Sequence, residues 1–99
     1  MIILYIKVYE LQGQRILACC DREMLGRTLR DGEIQFEISE VFYGRELDTA
    51  ERLRDELARC TIANVVGSRA VGLAVECGAV REENVIFICG VPHVQMMRL

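Results

Sequence analysis

The pattern of residues 2–20 constrains the fold more than any other part of the chain. Residues 2–9 carry an apolar side chain at every second position, which is the repeat of a strand with one buried face. Residues 15–20 are apolar on both faces, which is typical of a strand in the middle of a sheet. Between them, Gly13 lies in a short polar segment and tolerates the positive φ of a tight turn. The pattern predicts an antiparallel hairpin whose second strand is central.

Three further strands are predicted downstream. Residues 33–39 follow an Asp31-Gly32 turn signal and alternate in polarity, which predicts a half-buried strand. The residues expected to face inward there are Ile34, Phe36 and Ile38. Residues 85–89 are apolar throughout and predict a fully buried strand, which the segment 90–93 ends. Residues 94–99 predict the last strand.

Two helices are expected between these strands. Residues 48–60 form the clearer one, since Asp48 and Glu51 have the spacing of a capping box. Opposite charges four residues apart are expected on its outer face, in the pairs Arg52–Glu56 and Asp55–Arg59. Residues 61–67 are interpreted as a link to the second helix, which begins at Asn64 or Ser68 and ends at Cys77, before Gly78.

Two short segments complete the prediction. Asp21 can cap a helical turn over residues 22–25, which Gly26 would close, and residues 41–46 are expected to be a loop with two adjacent aromatic residues. The resulting order of elements predicts one domain, residues 1–99, of the α+β class. Its expected architecture is a two-layer sandwich with a mostly antiparallel sheet and helices packed on one face.

Charge and cysteine content limit the partners and the compartment. The chain has 12 basic and 15 acidic residues, and Lys7 is the only lysine. The net charge of −3 argues against a basic surface that binds nucleic acid broadly. The odd count of 5 cysteines without a C-x-x-C pair predicts reduced thiols in a cytoplasmic protein, with no metal site and no cofactor. No apolar stretch approaches the ~20 residues that span a bilayer, so no membrane association is expected.

Several short motifs together resemble a family of short, uncharacterised archaeal proteins. They are Cys20-Asp21, Leu25-Gly26, Phe42-Tyr43-Gly44, Ala63-Asn64-Val65-Val66-Gly67, and Gly90-Val91-Pro92-His93 followed by Gln95. The motifs are spread over nearly the whole chain. The resemblance implies an archaeal, cytoplasmic, single-domain α+β protein, and it implies no activity.

An anion site is predicted around the start of the second helix. The N–H groups there are free and lie at the positive end of the helix dipole. Gly67 allows close approach, Ser68 offers a hydroxyl, and Arg69 offers a guanidinium group. A purely structural alternative is that Asn64 caps the helix and Gly67 lets two helices pack closely.

A second candidate contact is the segment Phe42-Tyr43-Gly44-Arg45. Exposed aromatic rings beside an arginine can stack on bases or bind a partner. The alternative is that one ring lies in the core and the other at its rim.

His93, the only histidine, is the third candidate. It lies next to Pro92 and close to Gln95, and Cys20, Cys89 and Asp21 are possible spatial neighbours. A lone imidazole here can contact a ligand or act as a base, although no catalytic residue is assigned. The alternative is that His93 hydrogen-bonds the backbone and fixes a turn.

These candidates support two hypotheses of function and one of assembly. The leading one is a small non-enzymatic protein that contacts RNA or an RNA–protein complex locally, in archaeal translation or RNA handling. The alternative is a small-ligand-binding protein or enzyme with a pocket around His93, Asn64 and Cys20-Asp21. Self-association through an edge strand, residues 33–39 or 94–99, is the third possibility.

Overall fold

The computed structural model describes residues 2–98. Within them the chain forms eight strands and three α-helices, with 3-10 turns at Arg22–Met24 and Glu82–Asn84. The strands are β1 (Ile3–Leu11), β2 (Gln14–Asp21), β3 (Thr28–Asp31), β4 (Ile34–Glu37), β5 (Leu47–Thr49), β6 (Ile62–Val66), β7 (Ile86–Ile88) and β8 (Val91–Met97). The helices are α1 (Glu40–Tyr43), α2 (Ala50–Arg59) and α3 (Ser68–Glu76). The predicted end of the last strand, Leu99, lies outside the described residues.

Six strands form one sheet in the order β5-β1-β2-β6-β8-β7, and β3 pairs with β4 in a separate hairpin. The β2–β6 pair is parallel, and the other pairs are antiparallel. The predicted α+β class with a mostly antiparallel sheet is therefore confirmed. The N-terminal hairpin is confirmed as well, with a two-residue turn at Gln12 and Gly13, where φ is 51° and 79°.

Each face of the sheet has its own apolar core. Helices α2 and α3 pack on one face, where Leu17 and Cys19 of β2 point toward them. On the opposite face, Ala18 and Cys20 of the same strand are covered by α1 and the β3–β4 hairpin. Both faces of β2 are buried because successive side chains of a strand alternate, as its sequence predicts.

The main correction concerns residues 61–67, which are not a linker. Residues 62–66 form β6, a central strand between β2 and β8. Ala63 and Val65 face the helices, while Asn64 faces the opposite side. Asn64 therefore caps nothing, and α3 begins at Ser68 with Gly67 as its N-cap. Gly78 follows the end of α3 with a φ of 79°, as expected of the residue after a helix.

Three strand predictions are also corrected. The apolar segment 85–89 is not buried, because β7 is the edge of the sheet and leaves Ile86 59% and Phe87 66% exposed. Strand β8 begins at Val91, since the turn residues are Cys89 and Gly90, and it lies between β6 and β7 rather than at an edge. β4 spans only Ile34–Glu37, and Ile34 is exposed at the hairpin end.

Short-range capping differs from the expectation in two places. Residues 40–43 form the one-turn helix α1 instead of a loop, because Ser39 Oγ accepts a hydrogen bond of 3.1 Å from the N–H of Val41. Thr49 rather than Asp48 is the N-cap of α2, and its Oγ1 accepts from the N–H of Arg52 at 3.3 Å.

Helix α2 carries a buried carboxylate among arginines. Glu56 is 1% exposed, and its oxygens accept hydrogen bonds from Arg15 at 2.8 Å, from Arg52 at 3.0 Å and from Arg59 at 3.0 Å. The predicted Arg52–Glu56 pair is present, but the Glu56 carboxylate points toward the sheet and not to the outer face of the helix. Arg59 pairs with Glu56 instead of the predicted Asp55. Burial alone would raise the pKa of Glu56, but the hydrogen bonds from Arg15 and Arg52 bring it below its usual value.

No helix within residues 2–98 has the length and apolar character needed to cross a membrane.

Candidate functional site

A cavity of about 360 Å³ lies on the sheet face opposite α2 and α3. Its floor is formed by β6, β8 and β7, while Phe36 of β4 and Tyr43 of α1 stand at its side. The cavity exists because α1 and the β3–β4 hairpin cover only part of this face. A volume of this size falls at the lower end of the range for small-molecule sites, which is about 300–1,000 Å³.

His93 is the central polar residue of the cavity. It lies in β8 opposite Val66 of β6 and Ile86 of β7, and only 6% of it is exposed. Its Nε2 atom is buried and has no hydrogen-bond partner among residues 2–98. The ring of Phe36 stands perpendicular to the imidazole, with 4.5 Å between centroids.

Burial sets the protonation state of this histidine. Desolvation lowers the pKa of His93 below its usual value, so the imidazole is neutral near pH 7. A neutral imidazole has one nitrogen that donates and one that accepts a hydrogen bond. The imidazole beside the cavity is therefore a neutral group with one donor nitrogen and one acceptor nitrogen.

Asn64 and Gln95 extend the polar floor beside His93. They are directly opposite each other in the β6–β8 register, and both point to the face that carries His93. Asn64 is half-buried and Gln95 is exposed. Asn84, in the 3-10 turn before β7, brings a third carboxamide to the cavity. The remaining described lining is apolar apart from the hydroxyl of Tyr43, and it includes no charged residue.

Cys20 and Asp21 do not belong to this cavity. Cys20 is fully buried in the core between the sheet and α1, and burial raises the pKa of its thiol to about 12. A thiol with that pKa is protonated at neutral pH and is a poor nucleophile. The predicted pocket is therefore corrected: His93, Asn64 and Gln95 come together, and Cys20 and Asp21 serve elsewhere.

Asp21 occupies the position where the sequence predicts an external anion. Its Oδ2 accepts from the N–H of Arg69 at 3.0 Å, and its Oδ1 accepts from the N–H of Ala70 at 2.8 Å. A Cβ on Gly67 would stand 2.4 Å from Asp21 Cγ, so only glycine permits this approach. The negative group at the start of α3 thus comes from the chain itself. The expected cap of residues 22–25 is absent, because the Asp21 side chain makes no bond to that turn.

Ser68 and Arg69 lie at the surface beside this internal cap. Both are exposed. The guanidinium group of Arg69 pairs with the carboxylate of Glu23, which lies in the 3-10 turn that follows β2.

The aromatic segment 42–45 packs inward. Tyr43 is 2% exposed, and Phe42 lies between Tyr43 and Tyr9 with ring-centroid distances of 4.9 Å and 5.9 Å. Gly44 adopts a φ of 81° at the end of α1. Arg45 is exposed and pairs with Glu40. Tyr43 is thus a core residue and Phe42 lies at the rim of the core, and Tyr43 forms a wall of the cavity.

Seven residues that line the cavity are not among the predicted site residues, and three of them, Phe36, Asn84 and Ile86, matter for its shape and polarity. Phe36 has a signal, since its place in the alternating segment predicts that it faces inward. Asn84 and Ile86 have none, because their position depends on how the edge strand β7 folds against β8. Within residues 2–98 no group of three or more histidine, cysteine or acidic side chains is arranged to hold a metal ion.

Comparisons with known proteins place the chain among relatives without an assigned activity. A family model described as "Protein of unknown function (DUF424)" matches residues 9–99. No curated protein matches the chain. A crystal structure of an uncharacterized conserved protein from Methanopyrus kandleri has a similar fold, with a TM-score of 0.80 and 27% sequence identity over 95% of this chain and 90% of that chain.

Proposed function

Since the chain belongs to the family described as Protein of unknown function (DUF424), we propose from its geometry that it binds a small uncharged ligand in the cavity beside His93. The buried and unpartnered Nε2 of His93 carries this proposal. A buried polar atom without a partner costs about 1–3 kcal/mol, and such atoms are rare in folded proteins. A ligand that entered the cavity and displaced the groups that now cover Nε2 would hydrogen-bond this atom and remove the cost.

The surroundings of His93 favour ligand binding over a purely structural role. The cavity combines apolar walls with a few polar groups, which is the usual composition of a small-molecule site. A histidine that fixed a turn would hydrogen-bond the backbone, whereas Nε2 of His93 has no such bond within residues 2–98. The proposal is one of binding, and it assigns no catalytic step.

Contact with RNA stays a second proposal, and the geometry supports it less. The arginines at its two predicted contact points, Arg45 and Arg69, are paired with acidic neighbours. The helix N-terminus is occupied by Asp21, and Tyr43 is buried. Self-association also stays a proposal, and the exposed, uncharged edge strand β7 is the element that favours it. A reducing, cytoplasmic setting is proposed from the five free cysteines.

Nuclear magnetic resonance can test ligand binding directly, because the chain has a single histidine. The imidazole nitrogens of His93 give one unambiguous set of signals. We expect a screen of neutral metabolites to yield compounds that shift these signals in a saturable manner. The variant His93→Phe, which keeps a ring but removes the nitrogens, should bind the same compounds more weakly.

A control outside the cavity is Gln35→Met, a change on the exposed surface of the β3–β4 hairpin. It should leave ligand affinity unchanged. The proposal fails if no neutral compound at millimolar concentration moves the His93 signals. It also fails if the compounds that bind do so equally well in His93→Phe.

A further inference from the structure

The polar groups of the cavity define the class of ligand more narrowly than its volume does. The described lining offers carboxamides, an imidazole and a phenol, all uncharged near pH 7. The chain as a whole is 27% charged residues, so the absence of charge among the described lining residues is a local feature. A phosphate, carboxylate or ammonium group buried here would lack a counter-charge, and unpaired burial of charge is strongly unfavourable. The buried part of the ligand is therefore neutral.

The Asn64–Gln95 pair places two carboxamides next to each other on the floor of the cavity. Residues directly opposite in an antiparallel pair have Cβ atoms about 4.5–5.5 Å apart. Each carboxamide presents one acceptor and two donors in a plane, which allows paired hydrogen bonds to the edge of a heterocycle. His93 lies two residues before Gln95 on the same face, about 6–7 Å along the strand. These groups together span the polar edge of a ring system.

The walls of the cavity complement the face of such a ring. Phe36 and Tyr43 contribute aromatic surface on one side, and Ile86 contributes aliphatic surface at the edge strand. Aromatic side chains hold flat ligands by stacking or edge contacts. A polyol would leave these apolar walls without a matching surface. An aliphatic ligand would leave the carboxamides and His93 Nε2 without partners.

We infer that the cavity takes a neutral, flat heteroaromatic ring of the nucleobase type, held at its polar edge by Asn64, Gln95 and His93. This inference rests on the proposed function and specifies its ligand. The ring has two possible sources with the same chemistry. It is either a free base or nucleoside, or an unpaired base of single-stranded RNA whose phosphates stay outside the cavity.

The test titrates the full chain, labelled with ¹⁵N, with adenosine, guanosine, cytidine and uridine separately. Toluene serves as an apolar ring of similar width, and glycerol as a polar molecule without a ring. Single-stranded oligoadenylate and oligouridylate form a separate arm. The readouts are the His93 imidazole signals and the side-chain amide signals of Asn64 and Gln95.

We expect at least one nucleoside or oligonucleotide to shift all three sets of signals. Asn64→Leu and Gln95→Met should each weaken that binding by roughly tenfold, in line with the loss of a paired hydrogen bond to a base. Gln35→Met makes the same chemical change as Gln95→Met at an exposed position of β4 and should have no effect. Amide spectra of each variant report whether its fold is intact.

The two arms identify the source of the ring. Binding of a nucleoside supports a free ligand, and binding of an oligonucleotide alone that still shifts His93 supports a base presented by RNA. Oligonucleotide binding that leaves the His93 signals unmoved and is insensitive to Asn64→Leu overturns the inference. If neutral compounds of another class shift His93 while none of the heteroaromatic ligands does, the inference is wrong and the proposed function stands. If nothing shifts His93, both are wrong.

Discussion

Replacing Gly67 with alanine tests how Asp21 holds the start of α3. Gly67 has a φ of 105° and a ψ of 155°, a backbone conformation that side chains with a Cβ rarely adopt. The added Cβ would stand 2.4 Å from Asp21 Cγ and 2.7 Å from Oδ2, well inside van der Waals contact. Asp21 would then have to leave its position opposite the N–H groups of Arg69 and Ala70.

The expected loss of stability has two parts. Holding alanine in this backbone conformation costs about 1–3 kcal/mol. Losing the carboxylate cap costs about 1 kcal/mol more. We therefore expect Gly67→Ala to lower the free energy of unfolding by about 3 kcal/mol, which is a large share of the 5–15 kcal/mol typical of a small domain.

Gly72→Ala is the matched control on the same helix. A Cβ at Gly72 meets no atom within 4 Å. Because alanine favours a helix interior over glycine, this variant should gain about 0.5–1 kcal/mol. The same substitution five positions apart should therefore change stability in opposite directions.

Urea denaturation followed by far-ultraviolet circular dichroism measures both changes. A double-mutant cycle with Asp21→Ala isolates the contact, because the clash with Asp21 disappears when its carboxylate is absent. The double variant should lose at least about 1 kcal/mol less than the sum of the single variants. A Gly67→Ala protein within about 0.5 kcal/mol of the parent chain, or an additive cycle, would refute this reasoning.

Three further predictions concern titratable groups. Glu56→Gln should lower the free energy of unfolding by about 2–3 kcal/mol, as measured by urea denaturation at pH 7. This loss is smaller than the loss expected on breaking a fully buried ion pair, because the arginine partners of Glu56 reach solvent. The pKa of Glu56 is lower in the folded protein than in the unfolded chain. The stability that the ionised carboxylate contributes is therefore complete above the unfolded pKa and is lost as the pH falls through the folded pKa. The parent chain and Glu56→Gln should accordingly converge in stability in acid. Burial lowers the pKa of His93 below 6.5, so the free energy of unfolding should fall as the pH drops from 6.5 toward the pKa of the folded protein. A His93 imidazole that titrates at or above pH 6.5 by nuclear magnetic resonance would contradict this prediction. The exposed thiols of Cys77 and Cys89 should react quickly with a thiol reagent in the native protein, and the buried thiols should react only after unfolding. Rapid modification of more than two thiols would contradict the described core.

Local patterns in the sequence predict much of the fold. The hairpin of β1 and β2 was predicted because two adjacent segments with clear periodicity need only a turn between them. The positions of α2 and of the end of α3 are also predicted from local signals, which are a capping-box spacing with charge pairs four residues apart for α2 and Gly78 for α3. The sequence does not predict β6, because Asn64 and Gly67 are also typical of a helix cap and a turn. Only the pairing of residues 62–66 with β2 and β8 shows that this segment is a strand.

The parts that sequence reasoning missed depend on contacts between distant residues. The exposure of β7 follows from its place at the edge of the sheet, which its apolar sequence does not reveal. The cap on α3 joins Asp21 to Ala70, 49 residues away. The sequence predicts a pocket that joins His93 and Asn64, but the inclusion of Gln95 and the exclusion of Cys20 and Asp21 depend on the register of β6 against β8 and on the walls supplied by Phe36 and Tyr43.

The parallel pairing of β2 with β6 has a consequence for how the chain folds. This pair joins the two halves of the sheet, and its first contact, from the N–H of Arg15 to Thr61 Oγ1, spans 46 residues. Closing a loop of that length has an entropic cost that grows with loop length, and the ladder can form only afterwards. The hairpin of β1 and β2 needs no such closure, so we expect it to form early, with the free edge of β2 exposed to solvent. We therefore expect the docking of β6 onto that edge to limit the rate of folding, and the edge of β2 to stay open to wrong strand pairing until residues 62–66 are available.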